Sequence, residues 1–201
     1  QTLLAGVSED AQVVILDPHK DGVEQIRAAL AGHSGIESLH IVSHGSAGYL
    51  TLADSELDVV SMEAHTQALQ DWGAALSENA DILIYGCDVG AGMTGAAFVS
   101  RLADLTGADV AASNDLTGAA TRGGDWVLEA QQGSIEADTF LSAQARAEYS
   151  DVLPSTNPIV SNLHGDGLPY AEGGGTVVID QGGDAIVTDP DLIVADEPTG
   201  D

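Results

Sequence analysis

The chain has 201 residues, enough for one domain of ordinary size and part of a second. Five basic side chains stand against 32 acidic ones, a formal charge of −27 that repels nucleic acid and anionic membranes, so neither is expected as a partner. No apolar run reaches the ~18–20 residues that cross a bilayer, which excludes membrane insertion by a helix, and one cysteine excludes an internal disulfide.

In chain order, residues 13–17 read as a buried strand closed by Asp17. Asp21 with Glu24 three later is a helix start, and Val23, Ile26 and Leu30 form its apolar stripe before Gly32. A strand over 39–42 delivers Ser43-His44-Gly45. Residues 49–52 and 57–60 read as a small hairpin, and Leu69, Trp72 and Leu76 mark a second helix. The strand over 82–85 then delivers Cys87. Gly90, Gly92 and Gly95 open a third helix that turns Phe98, Leu102 and Leu105 to the sheet; with neither GxGxxG nor a Walker lysine, these glycines serve packing and access rather than phosphate binding. A strand over 109–113, an edge hairpin of 126–130 and 134–136 about Gly133, and a closing helix over 140–149 complete the unit. The alternation of strand and helix predicts an α/β fold with a mainly parallel sheet and helices on both faces, over residues 1–153.

Parallel strands in an open α/β sheet share a direction, so their C-terminal tips converge on one crevice. His44 and Cys87 would meet there. A thiol at its ordinary pKa is mostly protonated near neutrality, so a nucleophilic cysteine needs a base, and His44 is the candidate. The oxyanion formed on attack at an amide carbonyl is stabilised by backbone N–H groups, here those of Gly45 and Cys87. Asp17, at the end of the first strand, is the candidate to orient the imidazole; turn chemistry is its competing reading. A buried small hydrophobe is the competing reading for Cys87. His40, four before His44, lacks partners at metal-ligand spacing and reads as a core histidine. A serine hydrolase fails on spacing, because His44 stands where the nucleophile elbow needs glycine two before Ser46.

The His-Gly and Gly-Cys pair on successive strand ends resembles the caspase, gingipain, legumain and clostripain clan of cysteine peptidases. The segments 39–52, 80–118 and 123–136 are similar to a bacterial domain of unknown function found at the front of giant secreted repeat adhesins. The resemblance implies a caspase-like three-layer sandwich and a cysteine endopeptidase with His44 and Cys87 as its dyad, acting on a polypeptide, its own chain included. It implies a secreted or cell-surface location and no cofactor for catalysis. In the clan the segment after the strand that follows the cysteine's helix lines the primary pocket, here 112–117, which makes Asp115 the candidate for selecting arginine or lysine; turn capping is its competing reading. Arg122-Gly123 and Arg146-Ala147 are then the expected self-cleavage points. A module that keeps this fold without activity is the competing reading.

Composition breaks at Leu153-Pro154. From Ser155 onward there are nine acidic residues and no Lys or Arg, with β-branched runs at 176–179 and 185–188. This tail resembles the opening of a cadherin-like repeat of calcium-binding adhesins, so 154–201 is expected to be a linker and an incomplete all-β fragment whose strands lack partners. Asp189, Asp191 and Asp196 are its candidate Ca2+ ligands, against a reading as solvated turn acids.

Overall fold

The computed structural model describes residues 6, 7 and 11–153 and the backbone of 193–194. A two-residue strand, β1 (Val13–Val14), precedes helix α1 (Gly22–Leu30), which starts where the Asp21 carboxylate accepts from the Glu24 amide at 3.0 Å. Val23, Ile26 and Leu30 are buried, so the apolar stripe faces inward as expected. Strand β2 (Ile36–Val42) leads into a small antiparallel sheet of β3 (Gly45–Ser46), β4 (Tyr49–Leu52) and β5 (Ser55–Asp58). The expected hairpin is present, but its return strand ends at Asp58. There the carboxylate accepts from the Val60 and Ser61 amides at 2.8 and 2.7 Å and turns the chain into the next helix.

Helices α2 (Ser61–Ala64) and α3 (Thr66–Ala75) follow, then β6 (Leu76–Tyr85), α4 (Gly92–Thr106), β7 (Asp109–Ala112), β8 (Ala130–Gln132) and α5 (Ala143–Glu148). The main sheet has the order β2-β6-β7-β8, with the first three strands parallel and β8 antiparallel at the edge. Leu39, Ile41, Ile82, Ile84, Val110 and Ala112 point to one face, where α1, α3 and α4 cover them. Trp72 of α3 donates to the Val23 carbonyl of α1 at 3.2 Å. Its neighbour Gly73 lies so close to α4 that an added Cβ would stand 1.8 Å from the Thr106 oxygen.

The other face carries Val42, Leu83, Tyr85, Cys87 and Ala111. It is covered chiefly by irregular chain from 126 to 153, with Leu128, Phe140, Leu141 and Leu153 buried and α5 the one helix it contributes. Helices thus lie on both faces of a mainly parallel sheet in a three-layer α/β arrangement, three on the first face and α5 alone on the second, where irregular chain makes up most of the cover. His40 belongs to this second face, stacked on Tyr85 at 5.9 Å between ring centroids and edge-on to Phe140, with Nε2 3.2 Å from the Ser38 hydroxyl. His40 is thus a core histidine as expected, satisfied at Nε2, while its buried Nδ1 has no hydrogen-bond partner among the described residues.

Three further expectations are revised. Leu76 opens β6 rather than closing a helix, and the edge hairpin reduces to the single strand β8, because Asp109 and Asp81 accept the amides of 134, 136 and 137 and draw that chain away from ladder pairing. The closing helix is α5 alone. Residues 176–179, 185–188, Asp189, Asp191 and Asp196 lie outside the described residues. Of the tail, Ile193–Val194 forms β9, paired in parallel with β1, so at that point a partner exists where none was expected. Among the described residues no helix is long and apolar enough to cross a membrane.

Two outcomes follow from this packing. Alanine at Gly73 should force α3 and α4 apart and cost about 1–3 kcal/mol in urea unfolding. Burial pushes the His40 imidazole down to about 3 from 6.5. The unfolded chain thus takes up this proton below pH ~6.5 and the folded chain does not, so stability is full above 6.5 and falls as the pH drops towards 3, by up to about 1.4 kcal/mol per pH unit. His40→Phe should flatten the unfolding free energy between pH 6.5 and 5 relative to the unsubstituted chain; equal slopes would contradict this.

Candidate functional site

The C-terminal ends of β2 and β6 are held side by side. Their ladder runs to Val42 opposite Tyr85, and the Ser43 amide continues it by donating to the Tyr85 carbonyl at 3.0 Å. Beyond this point both chains lack room for side chains: a Cβ on Gly86 would lie 3.0 Å from the Ser43 oxygen, and one on Gly45 would lie 2.1 Å from Val89 Cγ2 and 3.3 Å from the Cys87 oxygen. His44 is 4 % exposed, and its carbonyl accepts from the Thr51 amide at 3.0 Å. Cys87 is fully buried and stands on a sharp exit from β6, where Asp88 adopts a left-handed φ of 63°. The two sequence candidates are thus delivered to neighbouring strand ends.

The thiol faces the second layer. Cys87 Sγ donates to the Leu153 carbonyl oxygen at 2.8 Å. Leu153 ends a short extended segment laid antiparallel along the loop after β7. The Ala119 amide donates to the Asp151 carbonyl at 2.7 Å, Gly118 bridges Val152, and the Leu153 amide donates to the Thr117 carbonyl at 2.8 Å. Arg122 fixes the start of the segment through the Ser150 carbonyl at 3.1 Å and the Asp151 carboxylate at 3.4 Å. Burial pushes the Cys87 thiol up to about 11; the Thr117 amide opposes this, and the charges of Asp88 and Asp115 add to it. In this arrangement the thiol is closed off and protonated.

Asp115 lies in the same neighbourhood: its carbonyl accepts from the Asp88 amide at 2.9 Å. Asp115, Asp125 and Glu129 each offer a carboxylate oxygen within 4.8 Å of the others. Burial raises the Asp115 carboxyl pKa, as do the charges of Glu129, Asp125 and Asp88. Asp17, by contrast, forms an ion pair with Lys20 and accepts from the His19 amide at 3.0 Å, and Lys20 holds its carboxyl below the usual range. Turn chemistry describes those contacts, and β1 lies outside the main sheet. Of the expected self-cleavage points, Arg146-Ala147 lies inside α5 and Arg122-Gly123 at the end of a 3-10 turn, so neither offers the extended chain that a peptidase receives.

Thr117 and Leu153 act here through backbone groups, which carry no sequence signal. A Cβ on Gly118, whose φ is 136°, would approach the Asp151 oxygen to 2.5 Å and Val152 Cα to 2.6 Å. Alkylation of Cys87 by iodoacetamide at pH 8 should therefore be roughly a hundredfold slower in the folded chain than in urea, since the thiolate fraction falls tenfold per unit of pKa. Gly118→Ala, by displacing 151–153, should raise the native rate; a rate that stays at the unsubstituted value would argue against this cover.

The chain belongs to the family described as Domain of unknown function (DUF4347), whose model matches residues 1–153. It has no match among curated proteins or among solved structures.

Proposed function

We propose that this DUF4347 domain is a latent cysteine endopeptidase of the caspase and gingipain kind, in which residues 151–153 occupy the path of a substrate strand. The observation that carries the reading is the Leu153 carbonyl, held at the Cys87 thiol by an extended segment whose backbone bonds to 117–119 are those a peptide substrate would form. With the segment displaced, His44 takes the thiol proton and the thiolate attacks the scissile carbonyl carbon. The amides of Gly45 and Cys87 stabilise the resulting oxyanion, the amine leaves with a proton from His44, and water hydrolyses the thioester.

Asp115, with Asp125, Glu129 and Asp88 around it, supplies a site for a cationic side chain. Burial and the charges of Glu129, Asp125 and Asp88 raise the Asp115 pKa, and that repulsion is relieved by an arginine or lysine and worsened by an acid. The substrate is accordingly a polypeptide cut after a basic residue, and the setting is a secreted or surface-exposed bacterial adhesin. The described positions of Arg122 and Arg146 favour a substrate other than this folded domain.

A second reading, a binding or structural module without activity, draws on the full burial of Cys87 and a thiol pKa of about 11. Peptides ending in arginine, lysine, aspartate or asparagine before a fluorogenic leaving group separate the two, with Gly118→Ala as the opened form. Turnover of the basic peptides that disappears in Cys87→Ala and in His44→Ala supports the peptidase, and Asp115→Asn should narrow the preference for basic peptides by at least tenfold. Turnover unchanged by Cys87→Ala, or none from the opened form, favours the silent module.

A further inference from the structure

Toward the N-terminal end of the parallel strands, away from Cys87, residues of β6 and β7 build a second polar site. Asp81 of β6 lies in register between Ser38 of β2 and Asp109 of β7. On the face that carries Leu83 and Tyr85, the loop between β8 and α5 folds over these positions. Asp81 Oδ2 accepts from the Glu136 and Ala137 amides at 2.9 and 2.7 Å, and Asp109 Oδ2 accepts from the Ser134 amide at 3.0 Å. Gly133, with φ of 94°, allows the approach, because a Cβ there would overlap the Asp109 carboxylate. Three backbone amides are thus spent on two carboxylates before either meets solvent.

These bonds leave charge uncompensated. Asp81 is 1 % exposed, yet its Oδ1 is buried with no hydrogen-bond partner among the described residues, an arrangement that is costly for a carboxylate. Asp81, Asp109 and Glu136 each place a carboxylate oxygen within 4.8 Å of the others. The cavity they open into, about 760 Å³, is lined also by Glu37, Asn79 and Asp138 and, among the described residues, by no Lys, Arg or His. Four of the five basic residues of the chain, Lys20, Arg27, Arg101 and Arg122, are paired elsewhere.

We propose that Asp81, Asp109 and Glu136 form a Ca2+ site that clamps the loop between β8 and α5 onto the middle of β6 and the start of β7. For any three oxygens within 4.8 Å of one another, some point lies within about 2.8 Å of all three, so a small contraction reaches the 2.3–2.6 Å of Ca2+–O bonds. The ion takes Asp81 Oδ1, an oxygen that no donor among the described residues uses. Mg2+, with its shorter bonds and octahedral demand, fits less well, and the open cavity supplies water for the remaining positions of Ca2+. A proton on Asp81 is the competing solution, since burial and the charges of Glu136 and Asp109 raise its carboxyl pKa.

Calorimetric titration of the full chain with CaCl2 at pH 7.5, beside thermal unfolding in EDTA and in 2 mM Ca2+, separates ion from proton. Acids of residues 154–201 contribute equally to every variant. The unsubstituted chain should bind one more Ca2+ than Asp81→Asn, Asp109→Asn and Glu136→Gln, and the rise in Tm with calcium should shrink in all three. In EDTA Asp81→Asn should melt no lower than the unsubstituted chain, since the amide keeps an acceptor for the loop and removes a charge. Should Asp81→Asn fail to fold, the exposed Glu136→Gln carries the comparison. Equal stoichiometry and equal calcium shifts in the unsubstituted chain and Glu136→Gln would overturn the site and leave the proton as the counter-charge.

Discussion

The pairing of β6 with a parallel strand on each side is the constraint on which the rest of the molecule hangs. A strand with parallel neighbours on both sides is typically covered on both faces, and the run from Ala80 to Tyr85 is apolar but for Asp81. Two separate layers follow: helices bury the even-numbered side chains, and the chain after β7 buries the odd-numbered ones. Both candidate sites lie on this one strand, with Asp81 where its pairing with β7 begins and Cys87 just past its finish. Six positions separate them by about 20 Å, and the cover of residues 126–153 reaches both.

How much of this was legible follows the range of the interactions involved. Local signals were read correctly: the Asp21 cap, the stripe of α1, the face of α4 with Phe98, Leu102 and Leu105, and the apolar runs of β2, β6 and β7. The convergence of His44 and Cys87 followed from the shared direction of parallel strands. Illegible were features decided by distant backbone groups. The polar start of β6, Ser77-Glu78-Asn79, carries no strand pattern, and the loss of the edge hairpin depends on carboxylates 25 and 55 residues away. The Cys87 to Leu153 contact spans 66 positions and uses a carbonyl that any residue would supply. Asp81 could have been noticed as an acid inside an apolar run; what it does there could not.

Charge acts in opposite ways at the two sites. Around Cys87, Asp88 and Asp115 raise the pKa of a thiol whose reactivity needs the reverse, so the acidic surroundings favour the protonated form until a cation enters or the cover departs. Around Asp81, the same repulsion is opposed by amides turned inward from a single loop. Among the described residues the acidic charge is distributed unevenly in its effect, with a few carboxylates gathered where they oppose one another.

The position of residues 151–153 also has a mechanical side. They are the last part of the cover, and the chain leads straight from Leu153 into the acidic tail. Tension arriving from residue 154 bears first on the thiol and Thr117 contacts of Leu153, then on the bridge at Val152 and the Asp151 carbonyl, and only afterwards on α5. Bonds loaded one after another yield at lower force than bonds loaded together. The cover can thus peel from its C-terminal end while the sheet and its helical layer keep their shape.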